Sequence, residues 1–314
     1  MRNNSTFTKH TNPGFSRRRL IAGALAGIGA AAIRPGWLKA AEANQSMRRS
    51  GATAIVTLGK TGIKTSRLAQ GTGYNGTGRS SEHTRLGMKA FTKLIRHSLD
   101  QGICFMDMAD LYGSHQYVRA ALEGVPRDKY TILTKIWTRK AYWNSPSGGA
   151  KEEVNRFRRE LNTDVIDICL MHCMTNANWP EENKRVCDEL DELKQQGTVR
   201  AVGVSCHDLG ALKVAATHPW TDVILSRINN VGKSAYMDGT VEEVVSVLKQ
   251  AKANGKVVIG MKIFGAGKLV TPEAKDASLK FVTENKLVDA MTVGMLSTEQ
   301  VDDTIMRLNK ALKA

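Results

Sequence analysis

From residue 55 onward, short apolar runs alternate with longer amphipathic ones. The short runs, at 67–71, 103–108, 130–135, 165–172, 199–205, 222–227, 256–262 and 290–294, are predicted as strands. Helical periodicity covers 84–100, 116–122, 151–161, 181–196, 209–217, 241–254, 272–284 and 298–312. Strands apolar on both faces and separated by helices imply parallel β-α-β units. Gly102, Gly197 and Gly255 each follow a helical run where a C-terminal cap is wanted, and Asp208 and Ser297 stand where the next helices need an N-cap. Eight such units in about 250 residues predict an α/β fold of the closed (β/α)8 TIM-barrel type. The competing arrangement is an open doubly wound sheet. Against it, the glycine-rich stretch 71–78 lacks the G-x-G-x-x-G spacing and does not run directly into a helix.

Composition changes the picture mainly at the amino end. The chain has 314 residues and a formal charge of +15, and residues 1–40 hold seven Lys or Arg with no Asp or Glu. The remaining charge is mixed along the chain without interleaved aromatics, which argues against a nucleic-acid groove. A basic stretch ends in Ser16-Arg17-Arg18-Arg19-Leu20, and an apolar Ala/Gly-rich run of 14 residues follows at 20–33. That run is too short to span a bilayer, which takes about 20 residues. Residues 1–43 resemble a twin-arginine signal peptide, with cleavage after Ala40 or Ala43, and 44–54 read as a polar linker before a barrel at 55–314. This implies engagement of the twin-arginine translocase and a periplasmic destination, with membrane anchoring if the leader stays uncleaved. A disordered basic tail or a weak membrane anchor is the competing reading. Five cysteines without C-x-x-C spacing give no disulfide framework, no zinc site and no iron–sulfur cluster, so no metal is expected.

In a (β/α)8 barrel, chemistry sits at the carboxyl ends of the strands. Alternation puts Phe105 with Asp107, Leu133 with Lys135, and Leu170 with His172 on the inward set of three consecutive strands. Tyr112 follows Asp107 closely. A Lys ammonium held by a carboxylate is expected to lower the Tyr pKa and ease proton transfer, while the His orients a carbonyl oxygen against the phenol. The bland alternative is an ion pair closing a barrel end, with Tyr112 and His172 merely packed. Cys169 falls on the outward parity. Tyr74 and Asn75, and the aromatic loop 137–149 with Trp137, Tyr142 and Trp143, are expected to line a substrate pocket.

The runs Asp107-Met108-Ala109-Asp110-Leu111-Tyr112-Gly113, Leu133-Thr134-Lys135-Ile136-Trp137 and Asp167-Ile168-Cys169-Leu170-Met171-His172 resemble those of the aldo-keto reductase superfamily. So do Gly203-Val204-Ser205 and Gly260-Met261-Lys262-Ile263-Phe264-Gly265-Ala266-Gly267, and the likeness runs from about Val56 to the C-terminus. The resemblance implies an oxidoreductase of the EC 1.1.1.- class acting on CH-OH groups. It would reduce an aldehyde, ketone or sugar carbonyl, or run the reverse, with NADP or NAD bound without a Rossmann motif. Asp107, Tyr112, Lys135 and His172 match the catalytic tetrad, with Tyr112 as general acid. Tyr74, Tyr112, Trp137 and His172 are the substrate contacts. Coenzyme contacts carried over are Gly71, Thr72, Asp107 and Ser205, then Lys262, Phe264, Gly265 and Gly267 around the pyrophosphate. Cys206 stands where the family has Asn, Met261 where an aromatic stacks on nicotinamide, and Arg227 where a bacterial subgroup has Arg. Gln300 and Asp303 lie in the stretch 297–304 near the adenine, which has no Lys or Arg, so NADP preference stays open. A protein that binds nicotinamide without turnover, as a redox sensor on the same barrel, is the second reading.

Overall fold

The structure is a computed structural model describing residues 51–139 and 149–313. The leader, the linker up to residue 50, and 140–148 with Tyr142 and Trp143 lie outside the described residues. A short antiparallel hairpin, β1 (Ile55–Leu58) and β2 (Ile63–Ser66), precedes eight parallel strands. These are β3 (Leu68–Gly71), β4 (Phe105–Asp107), β5 (Thr131–Ile136), β6 (Ile166–Met174), β7 (Val199–Cys206), β8 (Val223–Arg227), β9 (Val257–Met261) and β10 (Ala290–Val293). They form a closed barrel in sequence order, sealed where β10 pairs with β3 at Met291 and Leu68. The TIM barrel expected from the alternation is present, with each strand within a few residues of its predicted place.

Alternation along the strands builds two apolar layers. Ala69, Phe105, Leu133, Leu170, Val223 and Ile259 meet inside the barrel, while Leu68, Met106, Ile132, Cys169, Ile224 and Val258 pack outward against the helices. Cys169 therefore sits on the outer face its parity dictates. Leu58 and Ile63 of the hairpin join the inner layer. Residues 51–54, read from sequence as the end of a linker, are buried, and the Ala52 amide donates to Asn309 Oδ1 at 2.7 Å.

The glycines expected at helix ends take positive φ, +92° at Gly102, +74° at Gly197 and +72° at Gly255. Asp208 and Ser297 accept hydrogen bonds from the amides of Ala211 and Gln300, at 3.0 and 3.3 Å. The run predicted as one helix over 84–100 is instead two, Glu82–Arg85 and Gly87–Asp100, because Gly87 breaks it at φ +76°. Ser81 caps the first piece through a capping box with Thr84.

Candidate active site

Three neighbouring strands bring the acid, the amine and the imidazole to one rim. Asp107 pairs in register with Gly71 on one side and Leu133 on the other, and Lys135 with Leu170. All three polar side chains are buried: Asp107, Lys135 and His172 are 7%, 1% and 4% exposed. Lys135 Nζ donates to Asp107 Oδ1 and, at 2.8 Å, to the Met108 carbonyl. The other carboxylate oxygen of Asp107 accepts from Thr292 Oγ1 at 2.9 Å. Thr72 steadies the same strand end from its other side, its Oγ1 donating to the Asp107 carbonyl at 2.9 Å.

Tyr112 is delivered by a 3-10 turn, Asp110–Tyr112, closed by Gly113 at φ +65°. A Cβ on Gly113 would stand 2.0 Å from the Arg79 carbonyl oxygen, so the turn needs glycine there. Below the turn, Asp110 accepts from Arg79 Nη2 at 2.7 Å and Arg156 Nη1 at 3.0 Å, which ties the loop to the helix Ala150–Leu161. Tyr112 Oη lies 3.3 Å from His172 Nε2, with the rings edge to face at 88°. Lys135 Nζ stands over the Tyr112 ring, 4.9 Å from its centroid.

The electrostatics differ from the sequence expectation in one respect. Burial, with Asp107 and then Cys173 nearby, raises the Tyr112 pKa well above its ordinary value instead of lowering it. The reason is geometric: the Lys135 ammonium is spent on Asp107 and the Met108 carbonyl and meets the ring face. Burial also lowers the Lys135 pKa, opposed by Asp107. His172 is driven well below the usual imidazole range by burial, then by Lys135, Lys262 and Arg139, so its ring is neutral at pH 7.

A cleft of about 390 Å³ opens beside Tyr112 between the ends of β3, β9 and β10. Of the residues anticipated from sequence, Gly71, Tyr74, Asp107, Tyr112, Met261, Lys262, Phe264, Gly267 and Gln300 line it. Gly265 is buried in the turn behind, at φ +56°. Asp303 accepts from Lys275 Nζ at 3.1 Å, and it is Lys275, with Thr304, that faces the cleft. A basic residue, absent from 297–304, thus reaches the cleft from the preceding helix, Pro272–Glu284, whose Lys275 the sequence reading did not single out. Trp137 stands on the other side of His172, edge to face at 5.2 Å.

Of the other anticipated coenzyme contacts, Thr72, Ser205, Gly265 and Asp303 do not line the cleft, and Cys206 and Arg227 are turned elsewhere. Cys206 packs in the outer layer, since its neighbour Ser205 takes the opposite parity and both cannot face the interior. Arg227, at the end of β8, does not line the cleft; it donates to His207 Nδ1 and pairs with Asp238 at 3.2 Å. The sequence reading missed Thr292, which occupies the inward position at the end of β10, and missed His207 and Asp238, which no motif marks.

The residues around the cleft suit a nicotinamide dinucleotide. Ser205 Oγ is buried without a hydrogen-bond partner, an orphan that a carboxamide would satisfy. Gly71, Gly267 and Gly294 leave a bare backbone cradle: a Cβ on Gly267 would fall 2.8 Å from Tyr74 Oη. Lys262, held at φ +57°, and Lys275 place two cations along the cleft for phosphates.

The profile described as aldo/keto reductase family matches residues 68–313. Methylglyoxal reductase DkgB of Salmonella typhimurium is 26% identical over 209 residues, covering 64% of this chain and 72% of that protein. L-galactose dehydrogenase of Arabidopsis thaliana is 24% identical over 285 residues, covering 79% and 86%. Among solved structures, aldo-keto reductase AKR11C1 from Bacillus halodurans in its holo form superposes with a TM-score of 0.65 at 20% identity, covering 82% of this chain and 95% of that one. An aldo-keto reductase from Klebsiella pneumoniae in complex with NADPH gives 0.60 at 17% identity, covering 83% and 89%.

Proposed function

Because the chain belongs to the aldo/keto reductase family, we propose that it reduces an aldehyde, ketone or sugar-derived carbonyl to the alcohol, or runs the reverse, with Tyr112 as the proton donor. The observation that carries this is the Tyr112 Oη–His172 Nε2 pair at 3.3 Å beside the buried Asp107–Lys135 pair. When bound in the cleft, the nicotinamide supplies the hydride that adds to the carbonyl carbon. The chain's own residues handle the proton. A carbonyl oxygen seated between Tyr112 Oη and His172 Nε2 takes its proton from the phenol. The raised pKa keeps that phenol protonated at neutral pH. As the proton leaves, negative charge builds on the ring that the Lys135 ammonium faces, and the attraction grows through the transfer. Asp107 and the Met108 carbonyl hold that ammonium in place.

Gly71, Lys262, Phe264 and Gly267 would hold the dinucleotide, and Lys275 would offer a cation to the 2′-phosphate of NADP. A tetrad assembled around one hydrogen-bonded Tyr–His pair favours turnover over a sensing role. The Tyr112→Phe variant tests the reading. Carbonyl reduction should fall by about 10²–10⁴-fold while coenzyme affinity stays close to that of the parent. Equal turnover in the two proteins removes Tyr112 from the proposed role.

The twin-arginine character of residues 16–43 leads us to place the working protein in the periplasm, exported by the twin-arginine translocase after folding, with a membrane-anchored form if the leader is retained. Mass spectrometry of small molecules released on denaturing protein taken from the periplasmic fraction checks this. Recovered NADP or NAD is the result expected of export with coenzyme in place.

A further inference from the structure

Beyond His172, away from the cleft, the rim carries a second polar group with no part in the proton transfer above. Cys173 follows His172 at φ +67°, where β6 loses register with β7 between Met171 and Met174. That irregularity turns Cys173 toward its neighbours: Sγ lies 3.1 Å from His207 Nδ1 and 3.4 Å from Arg139 Nη1. Arg139 Nη1 also donates to the Cys173 carbonyl at 3.4 Å, and its guanidinium lies 5.8 Å from the Trp137 ring. Arg227 Nη2 donates to His207 Nδ1, and the His207 ring stands 6.3 Å from that of His172. A guanidinium can only donate, so His207 Nδ1 is the acceptor and its proton sits on Nε2.

The charge around this group does not balance. Asp107 offsets Lys135, and Asp238 offsets Arg227 at 3.2 Å. Arg139 and Lys262 have no carboxylate within ion-pair distance among the described residues, and the stretch 140–148 beside Arg139 contains no Asp or Glu. Lys262 faces the cleft, where dinucleotide phosphates would answer its charge. Arg139, His207 and Arg227 are not among the residues that line the cleft. Arg227 Nε is in addition buried with no hydrogen-bond partner. Burial first, and then the Arg227 guanidinium, lowers the His207 pKa well below the ordinary imidazole range, so its ring is neutral beside the two guanidiniums.

We propose that Arg139, His207 and Arg227 form a subsite for a carboxylate on the substrate, so that the preferred substrates are carbonyl acids rather than neutral carbonyls. The inference rests on the carbonyl-reductase reading. It adds that the carbonyl sits between Tyr112 and His172 while the anionic end reaches past His172 to the two guanidiniums. Hydrogen bonds to charged groups are the strong class, and a bound carboxylate would complete the donors of this cluster.

The test uses the full chain loaded with coenzyme. 4-Carboxybenzaldehyde and succinic semialdehyde are each compared with their neutral methyl esters. The acids should exceed the esters in kcat/KM by about tenfold or more, mostly through KM, and salt should shrink the difference. Arg139→Gln, on the half-exposed side of the cluster, should cut the acid-to-ester ratio about tenfold. It is the variant of choice because Arg227→Gln strands Asp238 and is liable to unfold the protein. Esters equal to or better than acids, or a ratio unmoved by Arg139→Gln, overturn the subsite while leaving carbonyl reduction standing. If no carbonyl turns over at all, calorimetry with benzoate and benzamide decides separately. Tighter benzoate binding that weakens in Arg139→Gln supports the subsite, and equal binding overturns it.

Discussion

Gly73 stands so close to Tyr112 that a Cβ built on it would fall 2.2 Å from the ring at Cε2. Gly76 approaches the same ring, its Cβ reaching 2.4 Å from Cδ1. The loop after β3 thus presses bare backbone on the proton donor, and the ring has no room to retreat. Gly73→Ala is expected to displace Tyr112 from His172 and reduce kcat by 10²-fold or more, since small misplacements of a reacting group are costly. Thermal unfolding should shift by a few degrees only. A variant with full kcat shows that the ring can move without cost.

The Asp107–Lys135 pair is a buried ion pair, and removing one member leaves the other uncompensated. Asp107→Leu should lower stability by about 3–5 kcal/mol, read from urea denaturation. The double variant Asp107→Leu/Lys135→Met should recover part of that loss, because no bare charge remains inside. A double variant no more stable than the single one shows that the packing around Thr292 and Met108, rather than charge, carries the cost.

Acid sensitivity follows from His83, whose Nε2 donates to the Met295 carbonyl at 3.0 Å while Nδ1 is buried without a partner. Burial lowers its pKa to about 4 from 6.5, against the smaller opposing effect of the Met295 carbonyl. Below pH 6.5 the unfolded chain takes up a proton that the folded chain refuses until about pH 4, so folding weakens as pH falls through that window. Relative to the parent, His83→Gln should lose less stability between neutral pH and pH 4, by up to about 3 kcal/mol. Parallel pH profiles of the two proteins rule out His83 as a source of the effect.

On the proposed reading, coenzyme choice turns on Lys275. Its ammonium is held 3.1 Å from Asp303, which Arg307 also grips at 2.8 Å, so Lys275 is positioned over the cleft rather than freely mobile. Lys275→Met should weaken NADPH about tenfold and NADH much less, as titration by fluorescence would show. Equal losses for both would place Lys275 against the shared part of the dinucleotide.

The barrel was legible because eight apolar runs obeyed one parity. Phe105, Leu133 and Leu170 point inward as alternation requires, and that carried Asp107, Lys135 and His172 to one rim. The hairpin was not legible: Lys64, Thr65 and Ser66 give β2 no apolar pattern, and only Ile63 is spent on the interior. The resemblance carries Arg227 into the coenzyme site, because matching a residue to a strand end does not say which neighbour claims its side chain. His207 and Asp238 claim it, from loops that no periodicity describes. The direction of the Tyr112 shift was likewise out of reach, since it depends on whether Lys135 meets the hydroxyl or the ring face.

The seam of the barrel lies between β3 and β10, where Leu68 meets Met291 and Gln70 meets Val293. Some 220 residues separate these partners along the chain. The first strand stays unmatched on one side until the last has been synthesised, so the ring cannot close on any shorter stretch of chain. A chain cut anywhere before β10 would therefore leave one edge of β3 as a row of open amides and carbonyls, ready to pair with another chain.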